Sequence, residues 1–297
     1  MHIYRCNCCN NSSFKQIGQL YGRSLVVCCS CGLRSFYPVP TYAELAALNS
    51  DGGIPFKSYF KLNKNNNSTH YKRILQYFEL LKNRYRPGNR VLEVGPGSGD
   101  FIELCLEKKI EIEALEISKT LAESLRNRYS VIVNERPLEQ ASLPPDSFFA
   151  IVAFDIIEHV NNPRAWLQAA WSALRPGGTL VFSTVSTKNL LNIIGLFLNR
   201  FGFPGALKRL HPAYHIYYFT PNVLEKYLRE TNFIIETIRQ DNYDVNKATQ
   251  NNFMRFAMKC IYKIHATLGE GTNIYITCQK PPTMAVPGDP FDSSVGK

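Results

Sequence analysis

Arg90-Val91-Leu92-Glu93-Val94-Gly95-Pro96-Gly97-Ser98-Gly99-Asp100-Phe101 is the stretch on which the fold turns. Val91, Leu92 and Val94 make a short apolar run suited to a parallel strand buried on both faces. Three glycines follow at every second position, and residues 101–108 then read as a helix. Glycines at a strand-to-helix turn leave no Cβ between the backbone and a ligand. The helix N-terminus offers unpaired N–H groups at the same place. Glu93 lies inside the strand, two residues before Gly95, where a dinucleotide-binding strand ordinarily carries an apolar side chain.

Downstream the pattern keeps alternating between strand and helix. Residues 111–117 supply a second strand with Glu116 at its end, and Ser118 caps a helix over 118–129. Short apolar runs at 130–133 and 149–154 read as the third and fourth strands. Asp155-Ile156-Ile157-Glu158-His159-Val160 then falls at the carboxyl end of the fourth strand, where open α/β sheets keep their ligands. A helix over 164–174 leads through Leu174-Arg175-Pro176-Gly177-Gly178-Thr179-Leu180 into a fifth strand. Thr220 caps a helix over 221–230, and 233–238 and 273–279 read as final strands, the second inserted antiparallel, with a helix over 252–266 between them.

Taken in order, these pieces resemble the class I S-adenosylmethionine-dependent methyltransferases over residues 90–280. The carriers are Glu93-x-Gly95-x-Gly97-x-Gly99, Glu116, the 174–180 turn, and Glu158-His159-Val160, which is similar to the Glu-His-Val signature of small-molecule members such as the ubiquinone-pathway O-methyltransferases. His215 before Tyr218-Phe219-Thr220 matches a further family feature. The resemblance implies a Rossmann-like α/β fold with a seven-stranded sheet and S-adenosyl-L-methionine as cofactor. It implies that Glu93, Gly95, Pro96, Gly97 and Gly99 carry the methionine end, that Glu116 holds the ribose, and that Ile117, Leu138 and Asp155 complete the cofactor site. One departure stands out: Phe149 occupies a position where the family usually has Asp.

Bulk properties set the outer bounds. The 297 residues are 45% hydrophobic and 20% charged, a globular balance that argues against wholesale disorder and allows one large core plus a small appendage. No apolar run reaches the roughly 18 residues of a membrane-spanning helix. Residues 1–9 lack the apolar stretch of a secretory signal, so the expected location is cytoplasmic. Lys and Arg outnumber Asp and Glu by 13 to 3 over residues 1–90, whereas residues 91–190 carry 9 basic against 13 acidic groups. The basic excess lies ahead of an acidic core, a layout that either attracts an anionic substrate or is simply a solvated surface.

Six of the nine cysteines lie in the first 31 residues. Cys6-x-x-Cys9 and Cys28-x-x-Cys31, 18 residues apart, have the spacing of a closed four-thiolate site for structural Zn2+. Cys8 and Cys29 offer alternative registers. Cys105, Cys260 and Cys278 sit in apolar settings and read as buried, inert thiols. The expected organisation is a zinc-ribbon lobe at 1–40, a helical connector at 41–89 with an exposed loop at 63–67 and a helix at 70–83, the methyltransferase domain at 90–280, and a disordered tail at 281–297. The knuckles followed by Gly32-Leu33 and Pro38-x-Pro40 look like the opening of bacterial class I methyltransferases that modify sugars or natural products.

An insertion at about 187–215 crowds Leu190, Leu191, Ile193, Ile194, Leu196, Phe197, Leu198, Phe201 and Phe203 beside Arg200, Lys208 and Arg209. It is either a buried cap helix or, through 190–204, a greasy lid or peripheral membrane contact for a lipid-linked or aromatic substrate. His159 and His215 are the candidate catalytic bases, because imidazole titrates near neutral pH. The expected enzyme methylates a small molecule: a sugar, lipid-linked or natural-product intermediate. The alternatives are an RNA methyltransferase using the basic lobe, or a non-catalytic zinc-ribbon module on a methyltransferase fold. Nucleic acid finds no strong signal, since the basic residues are interspersed with Asn and Ser and no Asn-Pro-Pro-Tyr motif occurs.

Overall fold

The computed structural model describes residues 4–41, 44, 69–245, 249 and 251–282. The expected loop at 63–67 and nearly all of the expected tail lie outside the described residues. Three N-terminal strands come first: β1 (Phe14–Leu20), β2 (Arg23–Cys28) and β3 (Arg34–Tyr37). Helix α1 (Thr69–Arg84) follows, with Ile74, Tyr77, Phe78 and Leu81 buried on one face at the i, i+3, i+4, i+7 spacing. Then β4 (Arg90–Val94), α2 (Asp100–Glu107), β5 (Glu111–Leu115), α3 (Lys119–Tyr129) and β6 (Val133–Asn134) alternate in the order the sequence pattern demands. The third strand starts later than expected, because Ser130 adopts a left-handed conformation at the end of α3.

The second half runs β7 (Phe148–Phe154), α4 (Pro163–Ala173), β8 (Leu174–Val185), α5 (Leu190–Arg200), α6 (Gly205–Leu210) and β9 (Tyr217–Tyr218). It closes with α7 (Pro221–Glu230), β10 (Ile234–Asp241), α8 (Asn252–Leu268) and β11 (Asn273–Gln279). The caps are those the sequence offers: Ser118 Oγ accepts from Leu121 N–H, and Thr220 Oγ1 accepts from Val223 N–H.

The main sheet has seven strands in the order β6-β5-β4-β7-β8-β11-β10, with only β11 antiparallel to its neighbours. β4 sits where the strand order reverses, so the crevice beyond its carboxyl end is the place for a ligand. Each strand alternates its side chains between two cores. Leu92 and Ile151 join the core that includes Trp166 and Tyr227, while Val91 and Val152 join the one that includes Tyr77, Phe78 and Phe101. That double burial is why β4 and β7 read as nearly continuous apolar runs. Phe149 belongs to the second core, 4% exposed, with Arg175 over its ring, so the departure from the family's Asp serves packing.

A second sheet joins the N-terminal strands to the second half of the chain in the order β1-β2-β3-β9. β3 pairs with β9 in the register Arg34↔Tyr218 and Ser35↔Tyr217. Cys6, Cys8, Cys28 and Leu33 pack into the same core as Leu92 and Trp166. The ribbon is thus welded to the larger body through backbone pairing and shared apolar burial.

Two expectations need correction. Cys105 and Cys278 are buried, but Cys260 is exposed on α8. The 187–215 insertion is a buried cap only in part. Asn192, Gly195 and Leu207 are enclosed, whereas Ile193, Phe197, Phe201 and Phe203 face outward. α5 meets α6 closely at Gly195, which leaves room for Leu210, whose Cδ1 would stand 3.0 Å from an added Cβ.

Candidate functional site

The glycine turn is locked by its neighbours. Gly95, Gly97 and Gly99 all have left-handed backbone, at φ 69, 54 and 81°, which disfavours any side chain. An added Cβ on Gly95 would lie 2.2 Å from Ile156 Cδ1, and one on Gly99 would lie 2.5 Å from Tyr129 Cε2. Ile156 comes from the carboxyl end of β7, so the turn and the Asp155–Val160 segment interlock. Gly95 N–H donates to the Leu115 carbonyl at 2.8 Å, tying the turn to the end of β5. Pro96 accepts from Gly99 N–H at 2.9 Å and closes the turn.

Carboxyl groups gather around this turn. Glu93 is buried in β4, and its Oε2 has no hydrogen-bond partner. Burial, with Asp100 and Glu116 nearby, pushes its carboxyl up to about 8. Glu116, buried just beyond β5, accepts from Ser118 N–H at 2.9 Å, which fixes its carboxylate over the start of α3. Ile117 beside it is half exposed. Leu138 is buried in the same core as Leu115, and its neighbour Glu139 keeps an unpartnered Oε2. Asp155 takes a left-handed φ of 56° and accepts from Ser183 Oγ at 2.8 Å, an outlier held by the strand beside it.

His159 and His215, 56 positions apart in sequence, meet edge-on with ring centroids 4.7 Å apart. His159 Nδ1 lies 2.9 Å from the Tyr214 carbonyl oxygen. A carbonyl only accepts, so Nδ1 carries the proton in the neutral ring and Nε2 keeps its lone pair. Tyr214 also stacks on His159 at 5.7 Å. Burial lowers His159, against the opposing pull of that carbonyl, and lowers His215 further with help from His159 and His211. His215 Nδ1 has no partner. Beneath the pair, Glu158 is fully enclosed and accepts from Thr184 Oγ1 at 2.8 Å. Burial and then Asp155 push its carboxyl well above the usual range. Its backbone carbonyl accepts from Ile216 N–H at 2.8 Å, so Glu158 joins the two histidine segments.

Donor atoms of Glu158, His159 and His215 lie within 4.8 Å of one another, a set that can hold a divalent cation or act as an acid–base cluster. The sulfurs of Cys6, Cys9, Cys28 and Cys31 also lie within 4.8 Å of one another. Cys6 and Cys31 sulfurs are 3.5 Å apart, as are those of Cys9 and Cys28. Neither Cys8 nor Cys29 belongs to this quartet.

Every sequence-predicted residue except the four cysteines and Leu138, which sits in a short 3-10 turn after β6, thus falls on the β4, β5 or β7 ends or on the loop before β9. Sequence reading missed Tyr214, Thr184 and Ser183, which have no motif of their own. A tyrosine directly before His215 was the one available signal.

A family model described as a methyltransferase domain matches residues 65–238, more than half of the chain. The chain belongs to this methyltransferase-domain family. Among curated relatives, a ubiquinone biosynthesis O-methyltransferase of Xanthomonas campestris pv. campestris is 34% identical over 106 residues, covering 34% of this chain and 44% of that protein. Malonyl-acyl-carrier-protein O-methyltransferase of a Paenibacillus species is 27% identical over 177 residues, 56% of this chain and 63% of that protein. The chain therefore spans less than two thirds of these two relatives. Two solved structures share the fold at low identity. The cyclase SpnF has a TM-score of 0.56 at 16% identity, covering 82% of this chain and 98% of that one. Phosphoethanolamine N-methyltransferase 2 of Haemonchus contortus has a TM-score of 0.52 at 15%, covering 84% and 62%. As a methyltransferase-domain protein, the chain presents the glycine turn, the acidic strand ends and the histidine pair at one end of its sheet.

Proposed function

We propose that this chain is an S-adenosylmethionine-dependent methyltransferase acting on a hydroxyl of a small molecule, with a sugar, lipid-linked or natural-product intermediate as acceptor. The observation that carries the reading is the pairing of a glycine turn flanked by Glu93 and Glu116 with two neutral imidazoles at the same sheet end. The residues fit the cofactor: a buried carboxyl oxygen without a partner suits a cationic amino acid head, and bare main chain gives close approach. The cofactor supplies a sulfonium methyl group and its leaving group.

The chain's own part is to bind, align and take a proton. Glu116 accepts from the ribose hydroxyls, and the Gly95–Gly99 turn carries the amino acid end. His159 Nε2 accepts the proton of the acceptor hydroxyl, while His215 Nδ1 fixes the acceptor's position. Alignment of that kind supplies roughly 7–11 kcal/mol of a barrier. Burial raises the Glu158 carboxyl well above the usual range, which suits an acid–base cluster. The cysteine quartet holds structural Zn2+, closed to substrate.

Calorimetry with S-adenosylmethionine tests the cofactor half: wild type binds, and Glu116→Ala loses about tenfold or more in affinity through the unmade hydroxyl bonds. Absence of heat from wild type at saturation would leave a non-catalytic module. Release of S-adenosylhomocysteine, screened over sugar and phenolic acceptors, tests the other half.

A further inference from the structure

Two neighbouring helices carry apolar stripes that nothing among the described residues covers. Ile193, Phe197 and Phe201 recur at every fourth position along and just past α5, each more than 60% exposed, and Phe203 follows. α8 is the sharper case. Of its 17 residues only His265 is buried. That ring anchors the helix, with Nε2 accepting from Leu190 N–H at 3.1 Å and Nδ1 donating to Asn242 Oδ1 at 2.8 Å. The stripe lies on a different side. Phe253, Phe256, Cys260, Ile264 and Leu268 keep the i, i+3, i+4 spacing of one helix face, and Phe253 is 79% and Phe256 67% exposed. Ile264 and Leu268 flank the anchoring histidine, and Ile193 lies one turn beyond Leu190, so both stripes reach the junction of the two helices.

Along both helices the charged residues are all basic, while Asp244 and Glu270 stand near Tyr262 and His265 of α8. Residues 159–224 and 245–269 contain no Asp or Glu. Arg200, Lys208, Arg209, Lys259 and Lys263 are all exposed, and the two lysines each stand one position before a stripe residue. Contiguous apolar surface of this kind on a water-facing helix marks an interaction site.

We propose that α5 and α8 together form a docking face for an anionic phospholipid bilayer. Aromatic and aliphatic side chains enter the acyl boundary, and the basic rim meets the headgroups. A second copy of this chain is the weaker occupant, since a two-fold contact would press one cationic rim against another. The chain leaving α6 runs directly into Tyr214 and His215, so docking holds the histidine pair near the bilayer.

The test uses the full chain and vesicles, and it needs no turnover, so its result is independent of the methyl-transfer reading. The chain is expected to cosediment with phosphatidylcholine vesicles containing about 30 mol % phosphatidylglycerol, about tenfold more weakly with phosphatidylcholine alone, and less as salt rises. Phe197→Ala with Phe201→Ala, and Phe253→Ala with Phe256→Ala, each lower partitioning about tenfold. Lys259→Glu with Lys263→Glu removes the preference for anionic lipid. Melting temperatures stay unchanged, because every replaced side chain is exposed. Variants that cosediment like wild type, or a wild type that ignores anionic vesicles, would overturn the proposal. So would a dimer that these phenylalanine substitutions dissociate, since the occupant would then be a second copy.

Discussion

Glu93 carries a proton that its folded surroundings impose. With its carboxyl pushed up to about 8 by burial and by Asp100 and Glu116, the folded state holds that proton more tightly than the unfolded chain does. Its contribution to stability is therefore full below the ordinary glutamate value of about 4.3 and is lost as pH rises through about 8. Glu93→Gln removes this slope, so thermal melts should show the variant gaining on wild type between pH 5 and pH 9. A cationic ligand head placed against Glu93 reverses the shift. Calorimetry of S-adenosylmethionine binding at pH 7 in buffers of different ionisation enthalpy should then report proton release, absent in Glu93→Gln. His159 works with the opposite sign: burial lowers it, so the neutral base persists below the usual histidine value. Turnover should hold as pH falls through about 6.5 and decline only below it. His159→Ala should cut turnover about 10²–10⁴-fold with cofactor binding intact; near-wild-type turnover would remove the base.

At the scale of elements, the strand-to-helix turn and the end of β7 stabilise each other through one contact. Ile156 fills the volume that any side chain on Gly95 would need. Gly95→Ala carries both that clash and a left-handed backbone, and should cost about 1–3 kcal/mol by denaturant titration along with most of the cofactor affinity. Adding Ile156→Ala should relieve the clash without relieving the backbone, recovering only part of the stability. Full recovery would show that φ at Gly95 carries no cost.

The whole molecule is joined by β9, a strand of two residues. One edge of it pairs with β3 of the cysteine ribbon, and Phe219 beyond it bridges to Ser186 after β8. Tyr227 of α7 donates to Asn7 between the first pair of cysteines at 2.8 Å. With four thiolates on zinc, apparent binding energy of about 10–16 kcal/mol supports the ribbon. One zinc per chain is expected by elemental analysis. Cys28→Ser should lower the melting temperature of the chain as one transition, since the ribbon shares its core. It should also depress turnover more than cofactor affinity, because β3 holds the segment carrying His215 while the glycine turn rests on β5. Two separate thermal transitions would contradict that coupling.

The glycine turn, Glu93, Glu116, the capping Ser118 and Thr220, and the cysteine quartet were legible in the chain because each is local. A turn, a cap or a pair of Cys-x-x-Cys knuckles states its geometry within a few residues, and alternating apolar runs state which segments lie in a sheet. The approach of His159 to His215, the role of Tyr214 and the bond from Thr184 to Glu158 had no local signature. They arise because Glu158 accepts from Ile216 across a long sequence separation, and no periodicity encodes such a pairing. The aromatic stripes of α5 and α8 show the same limit from the other side. Sequence makes both helices amphipathic, but which apolar face is covered depends on the neighbours that the folded chain brings to it, and here those neighbours took the faces carrying Asn192, Gly195 and His265.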